Sequence, residues 1–137
     1  MKILVLFTGG TIGSTVDGAT VHTDPAAASR LLSLYRARFG EDVLFEVRRP
    51  CNLLSENDTP GLWSLLERSV REEELAVYDG VIITHGSDTL PYTCAALAFL
   101  LRDVPIPLVL VASNYSLGDS RSNGLANFRS AVELIAS

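Results

Sequence analysis

The sequence predicts an α/β protein: a three-layer, Rossmann- or flavodoxin-like parallel sheet of about four strands with helices on both faces. Short apolar strands alternate with helical segments four times along the chain, which is typical of a parallel sheet. Two of the strands, VIIT and LVLV, are almost entirely apolar, as strands covered on both faces are. The 137 residues are 47% hydrophobic and 20% charged, and they favour one domain over residues 1–137.

The first half of the chain contains two strand–helix units. KILVLF predicts a buried strand, and DPAAASRLLSLYRARFG predicts a helix capped by Asp24, with Pro25 in its first turn and Gly40 at its end. VLFEVRR predicts the second strand. The second helix, NDTPGLWSLLERSVREEELA, has Asp58 or Thr59 as its cap.

The second half repeats the pattern. GVIITHG predicts a third strand and DTLPYTCAALAFLLR a third helix, and PLVLVA and NGLANFRSAVELIA predict the fourth strand and helix. The segment between the first strand and the first helix has no clear period, and we expect it to be a loop.

Charge and composition exclude several classes of partner. A net charge of -5 disfavours nucleic acid and anionic membranes, because neither attracts an acidic surface. The chain has no apolar run of about 20 residues and no signal-peptide pattern, so we expect a cytoplasmic protein that does not bind membranes. Cys51, Cys94, His22 and His85 show no metal-ligand spacing, which predicts no metal site.

The loops that follow the four strands predict one pocket. Ligands of open parallel sheets bind at the carboxyl ends of the strands, where neighbouring loops diverge. All four loops here are rich in small polar residues: TGGTIGSTVDGATVHT, PCNLLSEND, THGSDT and ASNYSLGDSRSN. A small-molecule ligand is the partner that this arrangement favours.

Three of these loops carry candidate site residues. The hydroxyls of Thr11 and Ser87, with Asp88 beside them, suit a nucleophile and its proton acceptor, and glycine turns supply N–H donors for an oxyanion. The structural alternative is that Asp88 caps the third helix, Thr11 closes a turn and Ser87 is solvated. GGTIG matches neither GxGxxG nor a P-loop, which disfavours nucleotide binding.

His85, Ser55 and Glu56 also have two interpretations. At a strand end, the imidazole of His85 suits either a general base or a side chain packed against the sheet, and the second is commoner. Ser55 and Glu56 suit the polar end of a small ligand, or simply the approach to the second helix.

Four segments together resemble one enzyme family. TGGTIG, GVIITHGSDTLPYTCAALAFLL, LLSENDTPGLW and RSNGLANFRSAV are similar to the bacterial asparaginases, and more so to their type I, cytoplasmic branch. The resemblance covers nearly the whole chain and matches the family's N-terminal domain, without a counterpart of its smaller C-terminal domain.

The resemblance implies hydrolysis of L-asparagine to L-aspartate and ammonia, without metal or cofactor. Thr11 then matches the nucleophile, Ser87 matches a second catalytic residue, and Asp88 matches a residue that links to it and holds the α-amino group. Ser55 and Glu56 match the pair that binds the α-carboxylate and amine. Gly10 and Gly86 belong to the substrate-binding turns.

The resemblance also shows a proton relay that is incomplete. Ser87 stands where the family has threonine, and the loop after the first strand lacks the family's tyrosine. In the family, the aspartate at the position of Asp88 links the second catalytic residue to a lysine. The only lysine here, Lys2, lies at the other end of the first strand, and arginine does not serve as a base. The alternatives are therefore a non-catalytic amino-acid-binding module or a partner-dependent subunit, and we expect a homo-oligomer formed at the sheet edge.

Overall fold

The computed structural model describes residues 1–17, 20–23 and 26–137 of the chain. Its strands and helices follow one another in this order: β1 Lys2–Phe7, β2 Ser14–Asp17, β3 Thr20–Thr23, α1 Ala27–Phe39, β4 Leu44–Arg48, α2 Pro60–Arg71, β5 Gly80–Thr84, α3 Leu90–Leu100, β6 Leu108–Val111 and α4 Gly124–Ala136.

The four main strands form a parallel sheet in the order β4-β1-β5-β6. Ile3 on β1 lies opposite Phe45 on β4 and Gly80 on β5, and Val81 lies opposite Leu108 on β6. β1 and β5 occupy the centre of the sheet and β4 and β6 its two edges. The predicted α/β fold is thereby confirmed. Because the strands are parallel, the carboxyl ends of all four lie at the same end of the sheet.

The helices cover both faces because successive side chains of a strand point in opposite directions. On one face, Ile3 and Val5 pack in a core with α1 and α4, around the buried Phe128. On the other face, Leu4 and Leu6 pack with α2 and α3. The three-layer arrangement follows from β1, whose residues 3–7 are all apolar and buried.

The helix boundaries follow the predicted signals in most places. Gly40, at a φ of 95°, ends α1, and α2 begins with Thr59 as N-cap and Pro60 in its first turn. The predicted cap Asp24 and its neighbour Pro25 lie outside the described residues. The prediction for α2 was too long, because its acidic end leaves the helix after Arg71.

The loop after β1 was predicted without regular structure, and this was wrong. β2 and β3 pair antiparallel there, with Ser14 opposite Thr23, as a separate two-stranded sheet. The sequence held a signal for this hairpin, since the β-branched pairs at 15–16 and 20–21 stand on either side of a short segment that contains the turn-favouring Asp17 and Gly18. No helix within the described residues is long and apolar enough to cross a membrane.

Candidate active site

The loops after β1 and β4 are joined by backbone hydrogen bonds. Gly9 and Gly10 have φ angles of 105° and 70°, which only glycine adopts readily. This turn lets the Gly10 N–H donate to the Leu53 carbonyl at 2.8 Å, while the Leu53 N–H donates to the Thr8 carbonyl at 2.8 Å. The first loop therefore has a fixed backbone at the carboxyl end of β1.

Among the predicted residues, Gly86 packs directly against both Gly10 and Ser55. A methyl group at Gly10 would lie 2.5 Å from the Gly86 nitrogen and 2.7 Å from the His85 carbonyl oxygen. A methyl group at Gly86 would overlap the Oγ and Cβ of Ser55, which is 5% exposed. The loops after β1, β4 and β5 thus meet at a point where only glycine backbones fit.

Thr11 follows this contact directly and begins a 3-10 turn, Thr11–Gly13. The Gly13 N–H donates to the Gly10 carbonyl at 3.0 Å, and Ser14 Oγ donates to the Thr11 carbonyl at 2.9 Å. Both bonds hold the backbone around Thr11, whose side chain is half-buried. The hydroxyl is therefore carried by a rigid turn beside Gly86.

The other predicted residues, Ser87, Asp88 and Glu56, are exposed. Ser87 and Asp88 lie in the turn between Gly86 and α3, and the N-cap of α3 is Thr89. The structure thus contradicts the alternative in which Asp88 caps this helix. Within the described part of the chain, the Asp88 carboxylate has no hydrogen-bond or ion-pair partner, so it is free for a ligand.

The fourth loop also reaches the first. Ser113 Oγ donates to the Tyr115 carbonyl oxygen at 2.5 Å and lies 3.1 Å from Asn123 Oδ1, which also accepts the Asn114 N–H at 2.9 Å. A methyl group at Gly124 would lie 3.2 Å from Ile12 Cγ1. The start of α4 thus reaches the first loop, while Ser87 and Asn114 lie in a groove of about 410 Å³ that extends along β6 to Leu134; convergence of all four loops on one pocket stays a prediction.

A buried polar cluster behind these loops was missed by sequence reasoning. His85, 1% exposed, donates from Nδ1 to the Gly86 carbonyl at 2.8 Å, and its Nε2 lies 3.3 Å from Asp58 Oδ2. Thr89 Oγ1 donates to the same carboxylate oxygen at 2.7 Å. Asp58 was predicted as a possible helix cap, and no local pattern indicated that it pairs with His85.

Cys51, a half-buried free cysteine, lies near this cluster. Burial, with a smaller contribution from the charge of Asp58, raises the pKa of Cys51 to about 11. The thiol therefore stays protonated at neutral pH and lies 3.7 Å from the Thr8 carbonyl oxygen. Among the described residues, no group of three His, Cys, Asp or Glu side chains is placed to hold a metal ion.

Lys2 lies at the opposite end of the sheet, as predicted. Its Nζ forms an ion pair with Glu46 at 2.8 Å and lies 4.7 Å from the centre of the Tyr78 ring. The only amine side chain of the sequence is thus engaged at the amino end of β1, away from the loops that meet at Gly10.

Comparison with known proteins gives one consistent family. Residues 2–137 match the family described as "Asparaginase, N-terminal". The L-asparaginase of Thermococcus kodakarensis is 39% identical over 132 residues, which cover 96% of this chain and 40% of that protein. A glutamyl-tRNA(Gln) amidotransferase subunit from Methanosarcina mazei is 38% identical over 140 residues, covering 98% of this chain and 32% of that protein.

Solved structures give the same result. The thermostable L-asparaginase from Thermococcus kodakarensis superposes with a TM-score of 0.85 at 38% identity, and L-asparaginase I from Vibrio cholerae with a TM-score of 0.83 at 30% identity. Each match covers 98% of this chain and 40% of the other. The chain therefore spans well under half the length of these relatives.

Proposed function

Because the chain belongs to the asparaginase family, we propose that its strand-end pocket binds L-asparagine and hydrolyses the side-chain amide to L-aspartate and ammonia. The observation that carries this proposal is the contact of Gly10, Gly86 and Ser55, which brings three loops together and holds Thr11 on a rigid turn beside them. This geometry suits a hydroxyl nucleophile with backbone N–H donors near it.

In the proposed reaction, Thr11 Oγ attacks the amide carbon and a C–O bond forms. The C–N bond then breaks, the nitrogen takes the hydroxyl proton, and ammonia leaves an ester on Thr11. Water hydrolyses this ester, which releases L-aspartate and restores the hydroxyl. The exposed, unpaired carboxylate of Asp88 suits the substrate's ammonium group, and Ser55 and Glu56 suit its α-carboxylate and amine.

The proton relay is the part that this chain does not provide. A threonine hydroxyl is a weak nucleophile without a base. The first loop has no tyrosine, and Lys2 is paired with Glu46 at the other end of the sheet. In our proposal the base is therefore supplied from outside these 137 residues.

Two further functions are favoured by specific observations. Retention of Ser55, Glu56 and Asp88 beside the missing lysine and tyrosine favours an amino-acid-binding module that does not catalyse. The similarity to a protein named as an amidotransferase subunit favours a chain that works with a partner. A cytoplasmic location agrees with the name of a structural relative, a probable cytoplasmic L-asparaginase from Campylobacter jejuni, at 28% identity.

Calorimetric titration with L-aspartate and L-asparagine, with ammonia release followed in the same samples, tests the proposal. We expect binding of both ligands, and ammonia release once the base is restored by a partner or added segment. Thr11→Val keeps the shape of the side chain, so it should keep binding and abolish release. Binding without release under every condition would favour the non-catalytic module, and absence of binding would overturn the proposal.

A further inference from the structure

The buried cluster behind the pocket consists of Asp58, His85 and Thr89, and it is separate from the residues proposed to touch a ligand. The Asp58 side chain is 9% exposed and comes from the loop after β4, while His85 and Thr89 belong to the loop after β5. A carboxylate and an imidazole buried to this degree require partners, since an unpaired polar group in the interior is costly.

The polar contacts of His85 favour a proton between Asp58 and His85. The Gly86 carbonyl only accepts, so His85 Nδ1 must carry the hydrogen of their 2.8 Å contact. In a neutral ring Nε2 would then be an acceptor, facing a carboxylate oxygen at 3.3 Å that is also an acceptor. Within the described part of the chain, Nε2 is one of two buried side-chain atoms without a hydrogen-bond partner, so its 3.3 Å contact with Asp58 Oδ2 is an ion-pair contact between two buried groups.

The same residues hold the loops that carry the pocket. The Asp58 N–H donates to the Ser55 carbonyl at 3.1 Å, and Thr89 Oγ1 lies 3.2 Å from that carbonyl oxygen. His85 immediately precedes Gly86, and its ring is held in place because Nδ1 is bonded to the Gly86 carbonyl. The cluster therefore connects the backbone of Ser55 to the backbone of Gly86.

We propose that Asp58 and His85 share one proton and act together as positioning residues, which keep Ser55 and Gly86 in the contact that forms the ligand pocket. The part of this inference that concerns a ligand rests on the proposed function. With Nδ1 bonded to Gly86 and Nε2 turned to Asp58, neither ring nitrogen is available as a general base. Opposite charges this close and this buried attract more strongly than the same pair would in water, which suits a junction between two loops.

Nitrogen-15 NMR of the 137-residue chain tests the shared proton without any ligand. We expect a slowly exchanging proton signal coupled to His85 Nε2. In Asp58→Asn an amide NH2 in the place of Oδ2 can donate to both a neutral Nε2 and Thr89 Oγ1, whose own proton can still go to the Ser55 carbonyl, so the signal should disappear and the contacts remain. The matched control is Asp103→Asn, which removes a carboxylate from an exposed ion pair with Arg71 and should leave the His85 signals unchanged. A wild-type His85 with no proton at Nε2 or between the two groups would overturn the proposal.

Amide hydrogen exchange and ligand affinity test the positioning role. In Asp58→Ala the imidazole loses its partner, so exchange of the Gly10 and Leu53 amides should speed up and the affinity for L-aspartate should fall about tenfold or more. Asp58→Asn should restore both to within about threefold of the wild type. Unchanged exchange in Asp58→Ala, or failure of the Asn variant to restore it, contradicts the proposal.

These experiments distinguish failure of the positioning pair from failure of the proposed function. If Asp58→Ala speeds loop exchange and the wild type shows the shared proton but no L-aspartate binding, the positioning pair stands and the proposed function fails. If Asp58→Ala does not fold, the His85 signal of the wild type and the amide exchange rates of Asp58→Asn still test the shared proton and the positioning role.

Discussion

At the scale of single residues, Gly10 is the position least open to change. Gly10→Ala would combine a φ of 70° with a methyl group 2.6 Å from the His85 carbonyl carbon. These neighbours are backbone atoms of a buried turn, so we expect the free energy of unfolding to fall by about 2 kcal/mol or more in urea denaturation. Gly118→Ala, with no atom within 4 Å of the new methyl group, should change it by less than about 0.5 kcal/mol. Equal effects of the two substitutions would contradict the packing at Gly10.

Asp88 is the residue that best separates ligand binding from stability. Its carboxylate is exposed and Thr89 is the N-cap of α3, so Asp88→Asn should leave the melting temperature unchanged. If the carboxylate binds an ammonium group, calorimetry should show a loss of L-aspartate affinity of about tenfold or more. Asp42→Asn removes the same charge from an exposed position at the amino end of the sheet and should not alter affinity. A shifted melting temperature with unchanged affinity would favour a structural role for Asp88.

At the scale of elements, the two edges of the sheet differ in their chemistry. On β4, Arg48 forms ion pairs with Glu46 at 2.7 Å and with Glu73 at 2.6 Å, and Glu46 is also paired with Lys2. On β6 the four residues Leu108–Val111 carry no charge. Charged side chains protect an edge strand against pairing with other chains, so β4 is protected and β6 is not.

The ion pairs of β4 predict a specific acid sensitivity. Hydrogen bonds from Lys2 first, and then from Arg48, lower the pKa of Glu46 to about 2 from 4.5. A carboxyl group whose pKa is lowered by folding stabilises the protein above its unfolded pKa and loses this effect as the pH falls through the folded value. The wild type should therefore be more stable than Glu46→Gln at pH 5 to 6, and the difference should shrink towards pH 2 in thermal denaturation. Parallel stability curves for the two proteins would show that the pair does not contribute.

At the scale of the whole molecule, β6 is the surface at which we expect a second copy to bind. Apolar side chains from α3 and α4 flank this strand and leave a groove of about 280 Å³ that contains Leu97, Leu101 and Leu134. We expect light scattering at micromolar concentration to give at least twice the monomer mass of 14.8 kDa.

Two leucines of equal exposure provide the matched test of this interface. Leu134 in the β6 groove and Leu44 on β4 are both 59% exposed. Leu134→Arg should produce monomers and Leu44→Arg should not, because only the first places a charge in the groove. A monomeric wild type, or equal loss of association in both variants, would contradict this prediction.

The whole fold also shows how far the site could be predicted. Gly10, Ser55, Gly86, Ser87 and Asp88 were predicted as site residues because they stand in loops that follow strands, where a parallel sheet gathers its loops, and in segments that resemble the asparaginases. The contact of Gly10 with Gly86 and the exposure of Asp88 were not predictable, since each depends on how separate loops pack. The hairpin β2–β3 was missed although Asp17 and Gly18 favour a turn, because the entire segment between the first strand and the first helix was interpreted as one loop.

The sequence by itself determined the order and type of the main elements, because the period of apolar residues reports which face of a segment is buried. It also determined that Lys2 lies away from the pocket, because a residue at the start of a strand cannot reach its end. Only the tertiary structure decided that Asp58 faces His85 instead of capping α2, and that β6 is the unprotected edge. Such contacts join residues distant in the chain, and they are set by the packing of whole elements, which no local pattern records.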